Sequence, residues 1–326
     1  MSGAPRIMTL GEILVEIMAV ERDQSFAAPG PLVGPFPSGA PAIFIDQVAK
    51  VGIAAGIIGA VGNDDFGRMT RDRLAADGVH TDAIRMLDDQ TTGTAFVTYH
   101  ASGERDFIYH ITHAACARID TDAVDAARLT GCALFHVMGS SLFSFHMIHA
   151  MHKAVDAVKA HGGRVSFDPN VRKEMLDLPE MRDALHYVLE YTDVLLPSEG
   201  ELMLLTGADT EQAAVAESLA NGVSEIVIKK GAAGARYYDR ERRIDMPGYA
   251  VEEIDPTGAG DCFGATYVAL RDAGLAVEDA LCYANAAGAC AVGKKGPMEG
   301  TATRAELDAF MRRHTVGRPV ITEYPL

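Results

Sequence analysis

The feature that most limits the fold is an alternation of two periodicities. From residue 123 onward, short apolar runs rich in β-branched residues, at 133–138, 164–167, 193–196 and 225–229, alternate with helical patterns at 146–161, 180–191, 199–205 and 211–221. Strand then helix, repeated, gives a mainly parallel sheet with helices on both faces, because each crossover returns the chain to start the next strand at the same end. A further strand is expected at 235–238, and helices at 258–273, 277–292 and 304–312. Nearer the start, strands at 7–10 and 54–61 and helices at 42–51 and 68–77 read the same way. Ligands in such folds bind at the carboxyl ends of the strands, which is where functional residues are sought.

One region breaks the alternation. Residues 94–100 and 105–111 are rich in β-branched and aromatic side chains and flank Ala101-Ser102-Gly103-Glu104, which reads as a hairpin with no helix beside it. Residues 29–41 hold too much proline and glycine for regular helix or central strand. These segments are expected to form a small sheet over the site. The division is then an α/β core of 1–11, 41–90 and 119–326, with a β lid of 12–40 and 91–118. No internal repeat or low-complexity tract is evident.

Composition restricts the partners. A formal charge of −16 repels nucleic acid and anionic membranes, so an anionic substrate must be met by a local site. The longest apolar run, 51–61, falls short of the roughly 18 residues of a membrane span. The opening Met-Ser-Gly-Ala-Pro-Arg lacks signal-peptide character. Five cysteines without a Cys-x-x-Cys pair fit reduced thiols in a cytoplasm.

The chemistry is concentrated in Asp255-Pro256-Thr257-Gly258-Ala259-Gly260-Asp261-Cys262-Phe263-Gly264. A polar turn, two glycines and a carboxylate lead into an apolar run through residue 270, as a helix begins. First-turn N–H groups have no intrahelical acceptors, and the helix dipole makes that end attractive to phosphate. Gly258 and Gly260 carry nothing to block the approach, so a phosphoryl group can reach the amides of Gly258, Ala259 and Gly260. A carboxylate beside a phosphate is repulsive unless it has a task. The task open to Asp261 is to accept a proton from a hydroxyl attacking that phosphoryl group. The plain alternative is a packing turn whose acid favours the dipole.

The segment resembles the C-terminal signature of the ribokinase/PfkB carbohydrate kinases. The resemblance implies a ribokinase-like fold, ATP and Mg²⁺ as cofactors, Asp261 as base, an anion hole at Gly258, Ala259 and Gly260, and a monovalent cation, K⁺, near Asp255. Lesser likenesses follow in order. Ser38-Gly39-Ala40-Pro41 resembles the N-terminal motif, with Ser38 for a glycine and Ile43 for the usual asparagine, which implies Gly39 and Ala40 against the sugar. Gly62-Asn63-Asp64-Asp65-Phe66-Gly67 resembles Val-Gly-x-Asp-x-x-Gly. Asp168-Pro169-Asn170-Val171-Arg172 resembles Asp-x-Asn-x-Arg, implying Asn170 at the phosphates and Arg172 at the sugar. Pro197-Ser198-Glu199-Gly200-Glu201 aligns with Asn-x-x-Glu, implying Glu201 at Mg²⁺ through water and Ser198 near the nucleotide. Lys229-Lys230-Gly231-Ala232-Ala233-Gly234 looks like the nucleotide loop, implying Lys229, Gly231 and Gly234 at ATP, with Asn285 beside the purine. Glu16 and Tyr109, from the lid segments, are expected at the sugar.

Two other patterns lead nowhere. Residues 288–295 nearly spell a Walker A loop but lack its Ser/Thr and end a helix. His146, His149 and His152 drift round a helix and do not converge on a metal.

Kinases for 2-keto-3-deoxygluconate are similar in Gly11-Glu12 and in the Asp168 motif, but carry Arg after the lid tyrosine, where this chain has His110. Neutral histidine is a poor partner for a carboxylate. The expected substrate is therefore a ketohexose such as tagatose or fructose. A 2-keto-3-deoxygluconate kinase, a nucleoside kinase and a non-catalytic sugar- or nucleotide-binding protein are the alternatives. The resemblance also implies a homodimer through the lid.

Overall fold

A computed structural model describes residues 4–102, 105–171 and 179–324. In chain order the elements are β1 (Ile7–Leu10), β2 (Leu14–Ala19), β3 (Leu32–Ser38), α1 (Ala40–Lys50), β4 (Ala55–Gly62), α2 (Asp65–Ala76), β5 (Ile84–Leu87), β6 (Gly93–Tyr99) and β7 (Arg105–His110). There follow α3 (Ala126–Leu129), β8 (Leu134–Met138), α4 (Phe145–Ala160), β9 (Arg164–Asp168), α5 (Pro179–Glu190), β10 (Val194–Leu195), α6 (Glu201–Thr206) and α7 (Glu211–Ala220). The chain ends with β11 (Glu225–Lys229), β12 (Ala235–Tyr238), β13 (Arg242–Met246), α8 (Ala259–Asp272), α9 (Val277–Val292), α10 (Arg304–Arg313) and β14 (Val320–Glu323).

Ten strands among the described residues form one sheet in the order β14-β13-β12-β11-β10-β9-β8-β1-β4-β5. From β5 to β11 all pairs are parallel, and β12 to β14 add an antiparallel edge. Alternate residues face opposite sides, as strand geometry requires. Ile7, Ile57, Leu134 and Val227 join Phe44, Tyr267 and Leu281 under α1, α8 and α9. Met8, Ile58, Phe135 and Ile228 join Met151, Leu185 and Leu219 under α4, α5 and α7. Each fully buried side chain of this size contributes about 1.5–3 kcal/mol. The helices start where side chains accept orphan N–H groups: Ser144 for α4, Thr210 for α7, and a Thr303/Glu306 capping box for α10.

Three strands fall outside the expected pattern. β5, β13 and β14 lie at or beside the sheet edges, where Arg85, Arg242, Arg243, Asp245 and Glu323 interrupt any apolar run. β3 forms within the proline-rich stretch because it is an edge strand, where Pro35 and Pro37 leave few ladder bonds unmade.

The second sheet is the lid, in the order β3-β2-β6-β7. Its strands fall within 12–40 and 91–118. β2 and β6 are parallel and β6 and β7 make the hairpin. The Gly62–Gly67 motif fastens the β6–β7 part of the lid to the core. Asp64 caps α2 through Gly67 N at 2.8 Å and accepts Thr92 N at 2.8 Å and Thr92 Oγ1 at 2.7 Å, just before β6. Among the described residues no helix is long and apolar enough to cross a membrane.

Candidate active site

α8 begins at Gly258, whose φ of 82° lies in the left-handed region and where a Cβ would sit 2.4 Å from the Pro297 carbonyl oxygen. Only glycine suits both constraints. Asp261 follows in the first turn and opens onto a cavity of about 610 Å³ beneath the lid, shared with Glu12, Glu16, Gly39, Ala40, Arg105, Tyr109 and Asn170. A second cavity, of about 900 Å³, lies on the other side of the helix start and is lined by Gly231, Gly234, Tyr249, Ala259, Phe263 and Asn285 among others. The two share Ser198, Lys229, Pro256 and Gly260. Asp261 thus faces one chamber, Ala259 the other, and Gly260 both.

Charge is dense at this junction. Lys229 Nζ is ion-paired with Asp168; the carboxylate is buried and the lysine side chain keeps only 12% of its surface exposed. Burial pulls the ammonium down, but Asp168 and Glu201 outweigh it and hold Lys229 above the ordinary lysine value. Burial pushes Asp168 up to about 6 against the pull of Lys229. Asp261 is pushed up to about 7, first by burial and then by Asp168, with Lys229 opposing. Glu16, buried beside Asp255, is pushed up to about 8, and its Oε2 has no hydrogen-bond partner among the described residues. The junction therefore combines one fixed cation with carboxyls that take up protons near neutrality.

The expected residues divide unevenly between the chambers. Gly39, Ala40, Glu16, Tyr109, Gly258 and Asp261 line the lid-side cavity; Gly231, Gly234, Ala259 and Asn285 line the other, where Asn285 Nδ2 donates to Pro247 O at 3.0 Å. Asn170, expected at the phosphates, lines the lid-side cavity. Its φ of 40° turns the chain sharply after β9. Glu201 lines neither chamber. Its oxygens accept Val171 N at 2.9 Å and Ser198 N at 2.6 Å, tying two strand-end loops together. Asp255 is buried and accepts from Thr257 N, Tyr99 Oη and Gly296 N, each at 3.0 Å, so it organises the loop before α8. Arg172 lies outside the described residues. Among those residues no cluster of three or more metal-ligating side chains occurs, and the His152 ring lies tilted against Tyr187, with centroids 3.8 Å apart.

Three site residues escape the sequence reading. Glu12 is buried, accepts from Ser141 Oγ at 2.5 Å, and is pushed up by burial; the Gly11-Glu12 likeness names it but assigns it no role. Asp168 stands in a quoted motif but draws no role from it. Arg105 matters most. Alternation along β7 sends Arg105, Phe107 and Tyr109 into the cavity and turns His110 outward, edge-on to Phe96 at 5.9 Å. The position after Tyr109 is thus not a lining position, and a guanidinium enters from four residues upstream.

A family model for pfkB family carbohydrate kinases matches residues 5–304. The chain belongs to that family. It is an ATP-dependent sugar kinase with a ribokinase-like fold. It is similar to a probable fructokinase-5 of Arabidopsis thaliana, at 30% identity over 96% of this chain and 99% of the relative. Among solved structures it is similar to a putative ribokinase II from E. coli in complex with ATP and Mg²⁺, with 55% identity, a TM-score of 0.92, and coverage of 95% and 100%. A double-mutant fructokinase from Vibrio cholerae, bound to fructose, ADP and a potassium ion, shares 26% identity with a TM-score of 0.82, covering 94% of this chain and 98% of its own.

The kinase's junction suits Mg²⁺, an ion usually held by one or two carboxylates together with substrate phosphates rather than by a full protein cage. Asp168 is a single buried carboxylate there, with Oδ1 unpartnered among the described residues. Gly260 marks the passage. A Cβ there would meet Lys229 Nζ at 3.6 Å, an ordinary contact, so Gly260→Ala is expected to fold with an unchanged Tm. The methyl group nevertheless stands in the space both chambers share, and kcat/KM is expected to fall by about 10²-fold, as for a reacting group displaced by an ångström. Steady-state kinetics beside a thermal melt checks both expectations.

Proposed function

We propose that this kinase transfers the γ-phosphoryl group of ATP to a primary hydroxyl of a ketohexose of the fructose or tagatose type, with Asp261 as the general base. The observation that carries the reading is the Asp261 carboxyl, pushed up to about 7, at the joint between the lid-side chamber and the second chamber. The sugar hydroxyl gives its proton to Asp261 as its oxygen bonds to the γ-phosphorus, and the bond to the ADP oxygen breaks. First-turn amides of Gly258, Ala259 and Gly260, with Lys229, hold the charge that develops on the transferring group. Asp168, and Glu201 through water, would hold the Mg²⁺ that arrives with ATP, and that ion would supply neutralisation of the phosphate charge. Ser198, Gly231, Gly234 and Asn285 receive the nucleotide. Glu16, with an unpartnered oxygen, and Tyr109 receive the sugar. A K⁺ ion beside Asp255 belongs to the same proposal, and omitting KCl from the assay is its test: unchanged rates would remove it. The setting we propose is the cytoplasm, where five free cysteines stay reduced.

A ketohexose is supported by relatives named fructokinases at about 30% identity. A second reading, a keto sugar acid such as 2-keto-3-deoxygluconate, is favoured by Arg105, since a guanidinium is the natural partner of a carboxylate. ADP release across a panel of ketohexoses and sugar acids separates them. The first reading expects fructose or tagatose to have the highest kcat/KM, and a sugar acid surpassing every hexose would replace it. Arg105→Gln then sharpens the result. It is expected to cost a carboxylate substrate about 1.5–3 kcal/mol, roughly 10–100-fold in kcat/KM, beyond the loss that a neutral ketose shows when the Arg105–Thr257 contact is removed.

The outward face of the lid, with Ile17, Phe96 and Ile108, is the surface we assign to a homodimer. Light scattering should give twice the chain mass, and Ile108→Glu should halve it; a monomeric wild type would reject the assignment.

A further inference from the structure

Two lid residues reach across to the loop that sets up α8. Tyr99 ends β6, Arg105 begins β7, and they are cross-strand partners. Tyr99 Oη donates to Asp255 Oδ1 at 3.0 Å, and Arg105 Nη1 donates to Thr257 Oγ1 at 2.8 Å. A single pair on the lid therefore holds residues 255 and 257 of one short loop. Asp255 passes the hold on. Its Oδ1 also accepts Thr257 N and its Oδ2 accepts Gly296 N, each at 3.0 Å. Gly258, next in the chain, rests with its Cα against the Pro297 carbonyl and starts the turn whose amides face the junction. The loop is fixed between the lid on one side and residues 296–297 on the other.

Tyr99 does not touch the reacting region. It lines a separate space of about 200 Å³, together with Ala19, Arg22, Lys295 and the flank of Asp255, and it lines neither large chamber. The nucleotide chamber, for its part, takes all its lining residues from 198 to 292 and none from the lid. A loosened lid contact should therefore disturb the transfer step and the sugar while leaving ATP binding alone. The phenol is a permanent donor here, because burial and the neighbouring Asp255 raise its pKa further above neutrality.

We infer that Tyr99 is a positioning residue for phosphoryl transfer: through Asp255 its hydroxyl couples the seating of the lid to the orientation of the first turn of α8. The inference rests on the sugar-kinase reading but not on which sugar is used. Misplacing a reacting group by about an ångström costs roughly 10²-fold in rate, and a lost hydroxyl that shifts the loop by less should cost less.

The test is Tyr99→Phe in the full chain, which keeps the ring and its packing. With the best sugar from the panel, kcat is expected to fall about tenfold to a hundredfold, with the sugar KM raised. The KM for ATP, ATP affinity measured calorimetrically without sugar, and the Tm should stay at wild-type values. An unchanged kcat would overturn the inference. So would a parallel loss of ATP affinity and Tm, since that is the mark of a hydroxyl that only satisfies a buried Asp255. If no sugar in the panel releases ADP from the wild type, the substrate proposal fails separately. Basal ATP hydrolysis of the same two proteins then decides: a rate lowered in Tyr99→Phe supports the inference, and equal rates overturn it.

Discussion

Asp261→Asn is expected to lower kcat by about 10²–10⁴-fold, the usual worth of a positioned general base, with the KM for ATP little changed. Asparagine keeps the shape and removes the proton acceptor. The same substitution should raise stability above neutral pH. A carboxyl pushed from 3.8 up to about 7 in the folded protein contributes stability that is fully present below 3.8 and lost as pH rises through about 7. The wild type therefore carries an uncomfortable charge at pH 8 that the variant lacks, and its Tm should be the lower of the two there. Activity and stability run in opposite directions over this range. In the wild type, kcat/KM should rise as pH climbs toward about 7 and the carboxylate forms, then level off. Rate profiles and thermal melts from pH 5.5 to 8.5 check both limbs. Turnover surviving in Asp261→Asn with the fold intact would remove the proposed chemistry.

Lys229→Met should be costly in two ways. It takes the ammonium from the passage between the chambers, and loss of one preorganised charge stabiliser lowers kcat by about 10²–10³-fold. It also strands Asp168, whose carboxylate is buried with that ammonium as its ion-pair partner. Breaking a buried pair from one side costs about 3–5 kcal/mol. Asp168 limits the damage by taking up a proton, since burial already pushes it up to about 6 with the partner present. The loss should accordingly be largest at pH 8 and shrink below pH 6 as the carboxyl is neutralised. Urea unfolding at both pH values measures this. Equal losses at the two would mean that Asp168 is not the group left exposed to the penalty.

The parallel core was legible because buried strands are continuous apolar runs and their helices carry a separate period. Edge strands are not written that way. β13, with Arg242, Arg243 and Asp245, spends its outward positions on charge, and β14 exposes all four residues. In the site, the segment from Asp255 to Asp261 could be read because two glycines between two acids in fixed order have few other uses. Residues brought in from elsewhere could not. Lys229 looked like the first residue of a nucleotide loop, yet its side chain meets Asp168 across the sheet end, a pairing 61 residues apart that no local pattern records. Arg105 was hidden by a simpler cause. The residue after Tyr109 lies on the opposite face of the strand from Arg105, and only the register of β7 with β6 shows which side chains turn inward.

The lid leaves the core twice, after β1 and after β5, and each excursion closes at its neck. Gly39 lies so near Glu12 O that a Cβ would come within 2.4 Å, and Thr91 O accepts Ala115 N at 2.8 Å. Four chain crossings thus gather into two necks. Exchange between relatives would have to cut at both necks at once. A graft made that way carries Glu16, Arg105 and Tyr109 together; under the proposed function it would transplant sugar preference as a unit and leave the second chamber with the host.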